Sequence, residues 1–196
     1  MQFAILSPEH PDRLRAEDSI REIYRTHYDA RLSTFAPNLA VLYGRDRRIL
    51  CAAGMRLPSD RFFSESYLEG PVEKAASDAL SRPVGRREIV EISTLASVRK
   101  CATGHFLAHF VNGSRAIGTS LLLFTATARL RTYLRRNGVE LVELCAATPG
   151  CLRDADEWGS YYANDPKVCL TPDTITRPFG VAPQAPFSGP KFLEAA

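Results

Sequence analysis

The stretch Arg87-Glu88-Ile89-Val90-Glu91-Ile92-Ser93-Thr94-Leu95-Ala96-Ser97 places a carboxylate and a hydroxyl two residues apart inside an apolar, β-branched run. Side chains of a strand alternate between faces. Ile89, Glu91, Ser93 and Leu95 are therefore expected on one face, and Glu88, Val90, Ile92 and Thr94 on the other. Glu91 and Ser93 then stand roughly 6–7 Å apart along the strand. A carboxylate among apolar neighbours is costly to bury alone. Either Glu91 has an arginine or backbone partner and a structural role, or it handles a proton in a reaction. Ser93 is a nucleophile by type, but no His–Asp partner for it is visible in the sequence.

Other chemistry-bearing residues are weaker signals. His105 and His109 stand four apart on an expected helix, which is the spacing of a metal pair. No glutamate occupies the HExxH position and no third ligand is in view, so no metal is expected. His27 lies on a helical apolar stripe and is expected as a core or boundary residue. The five cysteines (Cys51, Cys101, Cys145, Cys151 and Cys169) are odd in number, unrelated in spacing and without a CxxC. Reduced thiols in a cytoplasmic protein fit that usage better than a disulfide framework or a zinc site. Arginines cluster at Arg45, Arg47 and Arg48, at Arg86 and Arg87, and at Arg129, Arg131, Arg135 and Arg136. Their planar forks suit phosphates and acidic surfaces. The net charge of +3 gives no argument for nucleic acid.

The elements that must hold these residues follow from length and periodicity. With 196 residues, 45% hydrophobic and 24% charged, the chain suits one domain with a sizeable core. That domain is expected over 1–170. The proline-rich segment 171–196 is expected to be a mostly disordered tail. The N-terminus lacks a signal-peptide pattern, and no apolar run approaches the length that spans a bilayer. Strands are expected at Phe3–Leu6, Leu39–Tyr43, Ile49–Leu57, Arg87–Ala96, Leu121–Thr125, Val139–Cys145 and Lys167–Leu170. Gly44-Arg45-Asp46-Arg47 reads as a hairpin turn. Ala52-Ala53-Gly54 suggests a bulge or a close approach of another backbone or a ligand. Helices are expected over 12–32, from Pro71 onward, over 102–119 and over 127–137. The first has the stripe Ile20, Ile23, Tyr24, His27 and Tyr28; the third has Phe106, Leu107, Phe110, Val111 and Ile117; the fourth has its arginines outside. Phe62–Glu69 is expected as an extended acidic and aromatic link. Trp158-Gly159-Ser160-Tyr161-Tyr162 is expected as a packed lid or core edge. The order implies an α/β fold, a mixed sheet with helices on both faces, locally parallel from Arg87 to Cys145.

This order resembles the GNAT-type N-acyltransferase fold. Phe124 to Val139, a strand, helix and glycine turn, looks like the late part of that fold. Glu91-Ile92-Ser93-Thr94 is similar to the Glu-x-Ser-Arg signature of acyl-homoserine-lactone synthases, with threonine in place of the arginine. A longer set of anchors resembles the thermostable hemolysin family: Ile23-Tyr24-Arg25 through Phe35-x-Pro37-x-Leu39; Ala52-Ala53-Gly54-Met55-Arg56; Phe63-x-Glu65-x-Tyr67-Leu68-Glu69; Ile89-Val90-Glu91-x-x-x-Leu95-Ala96; Phe124-Thr125-Ala126-Thr127; and Trp158-Gly159-x-Tyr161-Tyr162.

The resemblance implies an acyltransferase that moves an acyl group from a thioester donor, acyl-coenzyme A or acyl-carrier protein, to a small amine. No covalently bound cofactor is expected. Glu91 and Ser93 are the implied catalytic residues, with Glu91 as general base or orienter of the amine. Thr94, Leu95, Ala96, Arg99, Lys100, Thr125 and Arg131 are the implied donor-binding residues. Backbone N–H groups near Thr94–Ala96 would polarise the thioester, and Arg99 and Lys100 would face the pantetheine phosphate. The segment Arg99-Lys100-Cys101-Ala102-Thr103-Gly104 lacks the glycine pattern of a pyrophosphate loop, and is compatible with a carrier protein whose acidic surface meets arginines. The alternatives are a membrane-active hemolysin and a non-catalytic GNAT-like module that docks on a partner.

Overall fold

The computed structural model describes residues 1–116 and 118–172. These residues form seven strands and four α-helices, in the order β1 (Gln2–Leu6), α1 (Arg13–Tyr28), β2 (Asn38–Tyr43), β3 (Ile49–Arg56), α2 (Val72–Leu80), β4 (Ile89–Ser97), α3 (Lys100–Ala116), β5 (Leu121–Ala126), α4 (Ala128–Arg136), β6 (Val142–Ala146) and β7 (Lys167–Pro172). The strands form one sheet in the order β1-β2-β3-β4-β5-β7-β6. β4 and β5 pair in parallel and every other neighbouring pair is antiparallel.

Helices cover both faces, as expected for a sheet with two apolar sides. Phe106, Leu107, Phe110 and Val111 of α3 and Leu134 of α4 pack on Val90, Ile92, Leu122 and Phe124. On the other face, Ile20 and Tyr24 of α1 pack on Leu39, Val41 and Ala52. Val72 and Ala76 of α2 pack there on Ile89, Leu121 and Leu123.

Several expectations need correction. The parallel run does not continue from β5 to β6, because β7 returns antiparallel and inserts between them. β7 also extends to Pro172, two residues into the segment expected as a tail; 173–196 lies outside the described residues, as does Ile117. Helix α1 stops at Tyr28 rather than near residue 32. Asp29 turns left-handed there (φ 53°) and the chain leaves to meet the segment 154–160. The Arg31 N–H donates to the Glu157 carbonyl at 2.6 Å, and the Ser160 N–H to the Tyr28 carbonyl at 2.7 Å. A Cβ on Gly159 would stand 2.1 Å from that Tyr28 oxygen, so glycine is required at this contact. The buried stripe of α1 is Arg13, Ala16, Ile20 and Tyr24, and His27 is exposed. Arg13 is tolerated inside because its guanidinium donates to the Ala36 and Pro37 carbonyls and to Glu17. Phe63–Tyr67 is a 3₁₀ turn rather than an extended link. A second 3₁₀ turn, Arg86–Glu88, precedes β4, which therefore starts at Ile89.

Candidate active site

The parallel pairing of β4 with β5 runs from Ile89–Leu121 to Ile92–Phe124 and stops. Both strands continue, β4 to Ser97 and β5 to Ala126, so they part at Ser93. At the same point β4 bulges against β3. Ser93 pairs with Gly54 and Ala96 with Ala52, which leaves Thr94 and Leu95 opposite Ala53 alone. Thr94 takes φ +46°, an unusual conformation for a β-branched residue. The extra residue re-aims the strand. Alternation holds as expected from Ile89 to Ser93, but Leu95 packs with Val90 and Ile92 instead of with Ile89. The small residues of β3 allow this kink. A Cβ on Gly54 would meet Ser93 Oγ at 2.5 Å, Ala36 Cβ at 2.9 Å and Thr94 Oγ1 at 3.3 Å, which bears out the close approach expected at Ala52-Ala53-Gly54.

Two small cavities, each of about 30 Å³, meet at this kink, and Ser93 and Thr94 line both. One is an apolar slot between the parted strands and the two helices that cover them, walled by Leu95, Leu107, Val111, Phe124 and Leu130. Thr125 also lines it. The other opens through the opposite face of the sheet and is polar. Arg56, Asp154 and Glu157 bring charge to it, and Phe63 and Trp158 bring aromatic surface. Its remaining wall is the 32–36 loop.

Glu91 has no solvent exposure. Its two oxygens accept the Phe63 and Ser64 N–H groups, each at 2.7 Å, so the carboxylate caps the 3₁₀ turn where two backbone donors would otherwise lack partners. Burial raises its pKa, against the Ser64 and Phe63 donors and the Arg56 guanidinium at 3.7 Å. From the end of β3, Arg56 donates to Ser93 Oγ at 2.9 Å. Among the described residues its Nε and Nη2 carry no hydrogen bond. Burial lowers the pKa of this guanidinium, while Glu91 and Asp60 pull it back up. Ser64 Oγ stands 3.1 Å from Thr125 Oγ1, tying the turn to β5 beside the gap. Thr94 Oγ1 is buried with no hydrogen-bond partner among the described residues.

The structure thus brings together Glu91, Ser93, Thr94, Leu95 and Thr125 around the parting of β4 and β5. Ala96 faces the α1 core. Arg99 and Lys100 are exposed at the start of α3. Arg131, expected on the outside of its helix, is buried. Its guanidinium donates to the Ala126 and Asp165 carbonyls and pairs with the Asp165 carboxylate at 2.6 Å. Sequence reasoning missed Arg56, Ser64, Glu157 and Trp158 as parts of the site. Arg56 had a signal: it follows the small residues Ala52-Ala53-Gly54 whose close packing brings β3 against Ser93.

The same fold occurs in solved structures of low sequence identity. The acyl-homoserine-lactone synthase LasI is 9% identical with a TM-score of 0.62, over 94% of this chain and 97% of that one. BjaI, a coenzyme-A-dependent acyl-homoserine-lactone synthase, is 12% identical with a TM-score of 0.59, over 89% and 84%. FeeM, an N-acyl amino acid synthase from uncultured soil microbes, is 12% identical with a TM-score of 0.57, over 91% and 99%. These likenesses bear out the expected GNAT-like fold. No curated protein matches the sequence. Residues 6–174 match the model of the thermostable hemolysin family, and the chain belongs to that family.

Proposed function

We propose that this protein is a GNAT-like N-acyltransferase in which the apolar slot takes an acyl thioester and the polar pocket takes the acceptor amine. The observation that carries this reading is the shared wall. Ser93 and Thr94 border an apolar cavity on one side and a charged one on the other, at the place where β4 and β5 part. A thioester carbonyl held there has its acyl chain among aliphatic side chains and its reacting face toward the amine. An acceptor arriving as an ammonium ion first gives one proton to solvent or to the Glu157 carboxylate. The free amine nitrogen then adds to the carbonyl carbon, and the tetrahedral intermediate breaks its carbon–sulfur bond, the nitrogen's second proton going to the leaving thiolate. The backbone of the Thr94–Leu95 bulge, free of β5, polarises the carbonyl.

Glu91 serves as a positioning residue: with both oxygens bound to backbone N–H groups, it fixes the Phe63–Tyr67 turn and, through Arg56, the Ser93 hydroxyl. The unused Arg56 donors suit an acceptor that carries a carboxylate beside its amine. Arg99 and Lys100 face the phosphate of the donor, whether on coenzyme A or on a carrier protein. Each cavity holds about one water, so donor binding displaces side chains of α3 and α4.

The test is thiol release and product mass with octanoyl-coenzyme A or octanoyl-carrier protein, against a pool of L-amino acids and the matching pool of amino-acid amides. Acylated product, favoured in the acid pool and with that preference lost in Arg56→Gln, is expected. Absence of product and thiol with both donors, together with dye leakage from liposomes, would replace this reading with the membrane-active one.

A further inference from the structure

The Thr94 side chain combines two costs that folding alone does not explain. Its backbone sits at φ +46°, where a β-branched residue is strained. Its hydroxyl is buried without a partner among the described residues, another unfavourable term in a native fold. Both fall on the residue at the junction of the two cavities, inside the bulge. Valine has nearly the same shape and would keep the packing without burying a hydroxyl. Asparagine or glycine would relieve the backbone. Nothing in the packing requires the hydroxyl. The adjacent Ser93 Oγ accepts from Arg56, and no hydrogen bond joins the two hydroxyls.

We propose that the Thr94 hydroxyl is a catalytic donor: it hydrogen-bonds the oxygen of the thioester carbonyl and strengthens that bond as the oxygen becomes an oxyanion. The inference rests on the acyltransferase reading above. A buried donor fixed in place before substrate arrives needs no reorganisation during the reaction, which is the condition under which one hydrogen bond speeds acyl transfer most. The hydroxyl gives up no proton and forms no covalent bond. It donates to the carbonyl oxygen of the ground state, donates more strongly to the tetrahedral intermediate, and is left unpartnered again once product leaves. The substrate carbonyl thus supplies the partner that no described residue does.

Thr94→Val and Thr94→Ser separate this role from a structural one. With octanoyl-coenzyme A and the amino-acid pool, Thr94→Val should lower kcat about 10²-fold with little change in the KM for the thioester. Thr94→Ser should recover a large part of the rate. Thermal unfolding should show Thr94→Val as stable as the parent or more so, since it removes an unsatisfied polar group and keeps the branched shape. A kcat unchanged in Thr94→Val, or a fall matched by an equal fall in Thr94→Ser, overturns the proposal and leaves the acyltransferase reading intact. A parent protein that turns over no thioester removes both together. Loss of stability in Thr94→Val assigns the hydroxyl a structural role and also overturns it.

Discussion

Glu91 is where chemistry and architecture meet in a single side chain. Each carboxylate oxygen accepts one backbone N–H of the Phe63–Tyr67 turn. Glu91→Gln keeps one acceptor oxygen and turns an NH₂ group toward a second donor. One buried N–H then loses its partner, at a cost of about 1–3 kcal/mol. Chemical denaturation should read that loss, and circular dichroism should show the sheet retained. Acyl transfer should fall because Phe63 and Arg56 shift, with the KM for the acceptor rising along with the loss in kcat. An unchanged stability would remove the capping role. The sequence made Glu91 and Ser93 legible because a charge and a hydroxyl interrupt an apolar strand. It did not show what Glu91 holds, because the turn it caps is 27 residues away and looked like an extended link. Thr94 was legible as a residue of the site, but not its left-handed backbone: a β-branched residue gives no local signal for that conformation.

At the scale of elements, the active strand owes its shape to its neighbour. β3 supplies Ala52, Ala53 and Gly54 where β4 bulges, and only a backbone with no side chain fits against Ser93 and Ala36. Gly54→Ala should destabilise the protein by about 1–3 kcal/mol, because Ala36 Cβ belongs to a packed loop and cannot turn aside as the Ser93 hydroxyl can. Denaturant unfolding reads the loss. Restoration of part of the stability by Ser93→Ala in the same chain would locate the second clash. The elements themselves were largely legible: apolar alternation and the helical stripes placed seven strands and four helices within a few residues. The exceptions have physical causes. Helix α1 ends early where the Tyr28 carbonyl accepts from Ser160 and the Arg31 N–H donates to Glu157, contacts between distant parts of the chain. Arg131 reads as a solvated face from periodicity alone, but its side chain is buried beneath Asp165 and Glu143, which pair with it from nearer the surface.

Across the whole molecule, the far edge of the sheet is tied by charge. Glu143 on β6 accepts from Lys167 of β7 at 2.7 Å and from Arg135 of α4 at 2.5 Å. These partners, led by Lys167 and then Arg135, bring its pKa down from 4.5 to about 2. A carboxylate with a lowered folded pKa stabilises the fold fully above its unfolded value, and that contribution disappears as pH falls from about 4.5 toward about 2. Melting temperature followed over that window should drop, and Glu143→Gln should drop less while starting lower at neutral pH. Glu65 and Glu88 are lowered in the same direction by their own arginine and backbone partners, so the variant's slope is reduced rather than abolished. Added salt should shrink the difference between the two proteins, since the Glu143 side chain is partly exposed. A slope identical in parent and variant would show that the edge is held by its backbone pairing alone.

The polar pocket has a further consequence in time. One wall is the 32–36 loop and another is the segment from Asp154 to Trp158, joined by the bonds of Arg31 and Ser33 to Glu157. More than a hundred residues separate the two walls, so the pocket closes only after nearly all of the described chain has been synthesised. Contacts of such long span form late and slowly. In refolding, the β2–β3 hairpin, β1 and α1 should gain hydrogen-exchange protection before the Trp158 region does. A chain with the first set of contacts and not the second would be compact and inert, its aromatic residues still open to solvent.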